Sequence, residues 1–188
     1  MQSKLIDLKT IFESNGRDYV SGLLDKFVVV KEKIKGTSLH FRFVNEEIKF
    51  YKGSTNKEIS VIDRTLQSIY EKPIDWIIEK AIAMYEYGMI PESYRFAFRY
   101  VWEDSRLFLE EIRIIESNNK IRFIEDPVLL EQWSEHFQCD GISTSYFGRF
   151  NKMQKINILE SLVDESIDIY DILNINKKRS ESLTMKFL

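Results

Sequence analysis

The sequence predicts an α+β fold, in which helical and strand segments follow one another in blocks. Three observations lead to this prediction. Apolar residues recur at helical spacing near both ends of the chain, apolar and polar residues alternate through residues 38–52, and a second pair of alternating segments covers residues 94–115. The expected architecture is an antiparallel β-meander and a strand pair with flanking helices.

The N-terminal segment, residues 4–25, is predicted to be helical. Asn15-Gly16 interrupts the helical spacing of its apolar residues, which then resumes. Three strands are expected next, because β-branched and alternating residues replace that spacing. They begin at Phe27, Ser38 and Ile48, with turns near Gly36 and Asn45, and are interpreted as a three-stranded meander.

The middle of the chain combines a helix with a strand pair. A helix is predicted over residues 59–88, with Pro73 as a break and Gly88 at its end. Alternating residues then predict strands at Tyr94–Val101, Leu107–Ile115 and Ile121–Ile124.

The last part of the chain is expected to be mainly helical. Asp126 as N-cap and Pro127 at the first helical position begin one helix, and another is predicted from Lys152 to Leu173. Residues 1–173 are therefore interpreted as a single domain, and residues 174–188 as a polar and basic tail.

Composition excludes several classes of protein. The 188 residues are 44% hydrophobic and 13% aromatic, which is typical of a globular chain. The 27 basic and 30 acidic residues give a net charge of −3, so a strongly basic coat for nucleic acid is excluded while a local basic site is not. With one cysteine, no secretory signal and no apolar run long enough to cross a bilayer, we expect a cytoplasmic protein without a membrane partner.

A lysine-rich run carries the most informative chemistry. Lys31, Lys33 and Lys35 fall on one face of a predicted strand, where mutual repulsion favours the neutral, nucleophilic form of the middle residue. The other two cations would attract phosphate, and Gly36 would allow a ligand to approach the backbone. In the alternative interpretation these lysines only protect a sheet edge against aggregation.

The run Glu32-Lys33-Ile34-Lys35-Gly36-Thr37-Ser38 resembles the nucleotidyltransferase motif of phage-type ATP-dependent RNA ligases and other polynucleotide ligases. In that family the motif lysine attacks the α-phosphate of ATP and carries AMP. Three further stretches are similar to later parts of the family pattern, so that the resemblance covers about residues 8–175. They are Ile48–Lys52 with Ile62–Leu66, Tyr94–Val101, and Tyr146–Phe150 with Gln154 and Ile158-Leu159.

The resemblance implies the fold of a ligase nucleotidyltransferase (adenylation) domain, here with its later motifs degenerate or missing. It implies ATP and Mg²⁺ as cofactors and Lys33 as the catalytic nucleophile, and it assigns no residue as a metal ligand. The residues implied to bind the nucleotide are Glu32, Ile34, Lys35, Gly36, Lys49, Lys52, Phe98 and Arg99.

The chain departs from the family pattern at several positions. Lys35 replaces the expected Asp or His, Gly53 replaces an Arg, and Arg99 replaces the acidic residue that contacts the nucleotide sugar. A guanidinium group only donates hydrogen bonds, so Arg99 cannot accept them from ribose hydroxyls. The fourth motif, Glu-Gly-hydrophobic, has only a faint similarity to Glu181-Ser182-Leu183, which Lys186 follows.

Two functions follow as hypotheses. The first is an RNA-ligase-like adenylyltransferase that forms a lysyl-AMP intermediate and joins RNA or DNA ends. The alternative is a catalytically degenerate ligase-like module that binds a protein partner or has a structural role, for example in a phage particle. A phage-encoded enzyme of this kind would act in the host cytoplasm. A fragment of a longer ligase is a third interpretation.

Overall fold

The computed structural model describes residues 8–60 and 69–188 and has the expected α+β architecture with mainly antiparallel sheets. The chain divides into two compact units. Unit 1 contains Met1–Ile34 and Thr144–Leu188, and unit 2 contains Lys35–Ser143. Within the described ranges, no helix combines the length and the apolar character needed to cross a membrane.

Unit 1 is built around a three-stranded antiparallel sheet with strand β1 (Phe27–Ile34) at its centre. Strand β8 (Thr144–Arg149) pairs with one edge of β1, and strand β9 (Ser180–Phe187) pairs with the other. Both partners follow unit 2 in the chain, so this sheet joins segments that are distant in sequence.

The described residues of unit 1 also form four helices. They are α1 (Leu8–Asn15), α2 (Arg17–Leu24), α5 (Lys152–Ser161) and α6 (Ile169–Ile172). A capping box begins α5, because Asn151 Oδ1 accepts from Gln154 N and Gln154 Oε1 accepts from Asn151 N. The core of the unit packs residues of these helices against the inner face of the sheet: Leu8, Val20, Leu24, Val28, Val30, Phe150, Ile158, Leu159, Leu173 and Met185.

Unit 2 contains a larger sheet. Its strands are β2 (Thr37–Val44), β3 (Glu47–Lys52), β4 (Tyr94–Val101), β5 (Arg106–Ile115), β6 (Ile121–Ile124) and β7 (Gly141–Ile142). The strand order is β3-β2-β4-β5-β6, and the short strand β7 pairs in parallel with β5. Helices α3 (Glu71–Glu86) and α4 (Pro127–His136) accompany the sheet.

One face of this sheet forms an aromatic core. Phe41 lies at its centre, with its ring centroid 5.3 Å from that of Phe96 and 5.8 Å from that of Phe137. Ile74 and Ile77 of α3 pack into the same core and are fully buried. Strand alternation therefore places the polar residues of β2 and β4 on the opposite face of the sheet.

Several predicted elements are confirmed. The strand pair β4–β5 and the short strand β6 occupy the predicted residues. Asp126 accepts a hydrogen bond from Val128 N at the start of α4, with Pro127 at the first position. The break at Gly16, where φ is +84°, separates α1 from α2 as the sequence predicts.

The predicted three-stranded meander is wrong. Strands β2 and β3 do pair, but β1 pairs with β8 and β9 instead of β2. A strand has only two edges, and both edges of β1 are occupied by segments that follow Ser143 in the chain. Local turn signals cannot reveal pairing over such a separation.

The other differences lie in the helices and the C-terminal segment. The helix expected over residues 59–88 covers Glu71–Glu86 in the described residues, while Ile62 and Leu66 lie outside them. The helix expected from Lys152 to Leu173 is two helices, because turns with carboxylate caps at Asp164 and Asp168 interrupt it. The expected polar tail, residues 174–188, contains β9.

Gly36 lies where its own backbone closely approaches the backbone of β4. Its φ is +149°, and a Cβ atom built there would lie 2.3 Å from the carbonyl oxygen of Tyr100 on β4. No real side chain tolerates that distance, so only glycine permits β2 to begin pairing with β4 at this point.

We expect Gly36→Ala to lower the free energy of unfolding by about 2 kcal/mol or more, because the backbone must shift and the conformation is strained. Urea denaturation measures the change. Gly22→Ala is the matched control, since nothing lies within 4 Å of the added Cβ in α2 and alanine favours a helix. Equal stability of the two variants would contradict the close approach.

Candidate active site

Lys33 lies on β1 of unit 1, with its side chain 57% exposed and paired with a carboxylate. The distance from Lys33 Nζ to Glu181 Oε2 is 3.2 Å. The two residues meet because Lys33 pairs with Ser182 while Ile34 pairs with Ser180, a register shift that leaves Glu181 as an extra residue in β9. Irregularities of this kind turn a side chain towards a new neighbour.

Glu32 faces the opposite side of β1 and is buried, with 1% of its side chain exposed. Arg179 donates two hydrogen bonds to its carboxylate, from Nε to Oε1 at 3.0 Å and from Nη2 to Oε2 at 2.9 Å. Ser145 Oγ donates a third at 3.0 Å. Glu32 is thus held in an ion pair that joins β1 to segments near β8 and β9.

The three lysines of the motif are not all on one strand. Lys31 and Lys33 share a face of β1, as the alternation predicts, whereas Lys35 follows the end of the strand and belongs to unit 2. Ile34 is fully buried.

Phe98 and Arg99, on β4 of unit 2, point to opposite faces of the sheet. Phe98 is fully buried in the aromatic core, with its ring centroid 5.1 Å from that of Phe137. Arg99 donates from Nε to Glu110 Oε1 at 2.9 Å and from Nη1 to the carbonyl oxygen of Gly36 at 3.3 Å. The guanidinium group therefore has a carboxylate partner within its own unit.

The remaining predicted nucleotide contacts lie on β3. Lys49 Nζ is 3.9 Å from Glu58 Oε2, and Lys52 Nζ is 5.9 Å from the ring centroid of Tyr70. Of the nine predicted site residues, Glu32, Lys33 and Ile34 belong to unit 1, and Lys35, Gly36, Lys49, Lys52, Phe98 and Arg99 belong to unit 2.

His40 is 7% exposed on the polar face of the unit 2 sheet. Burial lowers its pKa, and the nearby charges of Arg95, Arg113 and Arg42 lower it further, against the opposing effect of a hydrogen bond to Gly53. Its Nδ1 lies 2.7 Å from the carbonyl oxygen of Gly53, which can only accept, so Nδ1 carries the hydrogen. The ring stacks on Tyr51 with centroids 5.0 Å apart.

The arginines around His40 were not among the predicted site residues. Each one alone has the ordinary pattern of a solvent-facing strand residue, and only the strand registers show that they are neighbours. The sequence did contain one signal for these residues. Arg42 alternates with core residues along β2, and Arg95 alternates with core residues along β4.

The described residues support neither a metal site made of protein side chains nor a cysteine nucleophile. Within residues 8–60 and 69–188, no group of three or more His, Cys, Asp or Glu side chains is placed to hold a metal ion. Burial raises the pKa of the Cys139 thiol to about 12, so this thiol is protonated and a poor nucleophile.

The comparisons with protein-family models and with curated proteins found no match to this chain. The function is therefore inferred from the residues and their geometry.

We expect Arg179→Gln to lower the free energy of unfolding by about 3 kcal/mol, because it leaves the buried Glu32 carboxylate without its charged partner. Urea denaturation is the measurement. Glu165→Gln is the control, since it breaks the exposed Lys9–Glu165 pair and should cost less than about 1 kcal/mol. A cost for Arg179→Gln no larger than that of the control would show that the buried pair contributes little.

His40 should make stability depend on pH. Its pKa is lower in the folded chain than in the unfolded chain, so between the ordinary value near 6.5 and the lowered value the unfolded state binds more protons. Stability should therefore fall as the pH drops below about 6.5, and His40→Asn, which keeps a side-chain N–H donor, should reduce this fall. Denaturation midpoints at pH 7.5 and 5.5, about one unit on either side of 6.5, measure it.

An unchanged pH dependence in His40→Asn would refute the assignment to His40.

Proposed function

We propose that this protein is an ATP-dependent adenylyltransferase of the RNA-ligase type, with Lys33 as the nucleophile. The observation that carries the proposal is the 3.2 Å contact between Lys33 Nζ and Glu181 Oε2. Lys33 belongs to the run that resembles the family's nucleotidyltransferase motif. Glu181 begins the segment with a faint similarity to the fourth motif, which supplies a carboxylate in that family.

The pairing of β1 with β9 supports this proposal independently of the motif similarity. Two segments from nearly opposite ends of the chain are adjacent, and their register brings together an amine and a carboxylate. A lysine that merely protects a sheet edge has no need of an acidic partner. An acidic partner is useful to a lysine that must be oriented and must lose a proton.

The proposed step forms one bond and breaks one bond. The neutral amine of Lys33 attacks the α-phosphorus of ATP, the new P–N bond replaces the bond between the α-phosphorus and the bridging oxygen, and pyrophosphate leaves. The ammonium form of Lys33 must first release one proton to solvent, and the attacking nitrogen loses a second as the P–N bond forms, which Glu181 is placed to accept. Before that transfer, the Glu181 carboxylate holds the amine in position.

A magnesium ion would arrive with the nucleotide and would be held mainly by its phosphates, because Mg²⁺ usually takes only one or two protein carboxylates beside substrate phosphates. The ion would neutralise charge on the triphosphate as pyrophosphate leaves. The product, lysyl-AMP, would pass its AMP to a 5′-phosphorylated RNA or DNA end.

Arg99 favours a second candidate function, a ligase-like module that binds a partner without catalysis. The family has an acidic residue at this position to accept hydrogen bonds from the nucleotide sugar. Arg99 instead pairs with Glu110 and donates to Gly36. In this case the chain would bind ATP weakly, and Lys33 would be replaceable.

Self-adenylation tests the two candidates. We expect incubation with ATP and Mg²⁺ to add the mass of one AMP to the intact chain, and Lys33→Ala to abolish the adduct. Glu181→Gln should slow adduct formation by about tenfold or more, because the carboxylate that orients the amine is lost. Intact-mass spectrometry over time measures both effects.

Lys9→Ala is the matched control, because it removes a lysine of the same unit and should leave the adduct unchanged. Circular dichroism establishes that each variant is folded. Absence of the adduct in folded wild-type protein would refute the adenylyltransferase and leave the binding module.

A further inference from the structure

Four cationic residues form a row across the polar face of the unit 2 sheet. Lys49 of β3 pairs with Arg42 of β2, and Arg95 of β4 pairs with Arg113 of β5. Arg42 and Arg95 each lie one residue beyond the pair Phe41–Phe96, which makes them neighbours across β2 and β4. Adjacent strands are about 4.8 Å apart, so the cation row spans roughly 14 Å.

Among residues 8–60 and 69–188, no acidic side chain pairs with the two central members of the cation row. Lys49 is near Glu58, and Arg113 Nε donates to Glu111 Oε2 at 2.6 Å. Arg42 donates only a long bond of 3.4 Å to Tyr51 Oη, and no carboxylate in the described part of the chain forms an ion pair with Arg42 or Arg95. Like charges side by side on a sheet are destabilising, so this arrangement calls for a counter-charge.

Arg95 also has an unsatisfied donor beside a cavity. Its Nε is buried and has no hydrogen-bond partner among the described residues. A cavity of about 60 Å³ is lined by Arg95, Arg113, His40, Gly53 and Ser38, among others. Since a water occupies about 30 Å³, the cavity has room for one or two ligand oxygens.

The charged groups at this site favour the binding of an anion. Burial and the neighbouring charges of Arg42 and Arg113 lower the pKa of Arg95, although a guanidinium group stays protonated at neutral pH. Two carboxylates also line the cavity, Glu110 and Glu111, and they are already engaged by Arg99 and Arg113.

We propose that the cation row of Lys49, Arg42, Arg95 and Arg113 is a binding site for phosphoryl groups. Planar guanidinium groups recognise phosphate oxygens through paired hydrogen bonds, and a row of them suits several phosphoryl groups in succession. Such groups occur in the backbone of a single-stranded nucleic acid and in a free oligophosphate. This site lies in unit 2, includes no part of the Lys33–Glu181 pair, and does not require adenylation.

Binding to two probes, without ATP, tests the site. The probes are inorganic tripolyphosphate and a short single-stranded RNA, measured by calorimetry and fluorescence anisotropy with the full chain. We expect Arg42→Gln and Arg95→Gln each to weaken binding by about tenfold, because each removes charge-assisted hydrogen bonds. Binding should also weaken as the salt concentration rises from about 50 to 200 mM.

Arg122→Gln is the matched control. Arg122 lies on β6 next to Phe123, so strand alternation places it on the other face of the same sheet, and its loss should leave both affinities unchanged. Binding of the RNA identifies a nucleic-acid source for the phosphoryl groups, and binding of tripolyphosphate alone identifies a free oligophosphate. Either result supports the site if the Arg42 and Arg95 variants bind that probe more weakly than the wild-type chain does.

Absence of binding to both probes would overturn the proposal, as would equal losses in Arg122→Gln and in the Arg42 and Arg95 variants. Arg42 is partly exposed, so its variant remains informative if Arg95→Gln does not fold. Both probes are measured without ATP, so the assay does not depend on self-adenylation. Failure of self-adenylation and failure of this site are therefore separate results.

Discussion

Unit 1 depends on one constraint, the pairing of β1 along both of its edges. Successive residues of a strand face opposite sides, so a slip of one residue would turn Lys33 inward and expose the valines that now fill the core. The ion pair between Glu32 and Arg179 penalises that slip further, because a buried carboxylate would lose its partner. The register that satisfies Glu32 is thus the one that leaves Lys33 beside Glu181.

In unit 2, the alternation of successive strand residues separates the aromatic core from the polar face of the sheet. Phe98 enters the aromatic core while its neighbour Arg99 faces the polar side, and Phe41 and Arg42 are related in the same way. The apolar side chains hold the strands in register beneath α3 and α4. The polar side chains between them therefore have fixed spacings, and a rigid core positions the row of cations.

The predictable parts of the fold depend on local signals. Alternation located β4 and β5, and Asp126 with Pro127 located the start of α4, because both patterns act over a few residues. Lys33 could be identified as a solvent-facing strand residue for the same reason. Its pairing with Glu181 could not, because it depends on a register between segments at opposite ends of the chain. The alternation of Leu183, Met185 and Phe187 was a signal for β9 that the polar composition of that segment concealed.

The discontinuity of unit 1 has a consequence for biosynthesis. Strand β1 leaves the ribosome before any residue of unit 2, yet both of its partner strands are translated after Ser143. Unit 2 is continuous and can fold while translation proceeds, since domains generally fold as units in the order of their synthesis. During that interval the valine-rich β1 has two unpaired edges, which are the features most prone to intermolecular pairing. The strand that carries Lys33 therefore needs protection from such pairing until β8 and β9 have been synthesised.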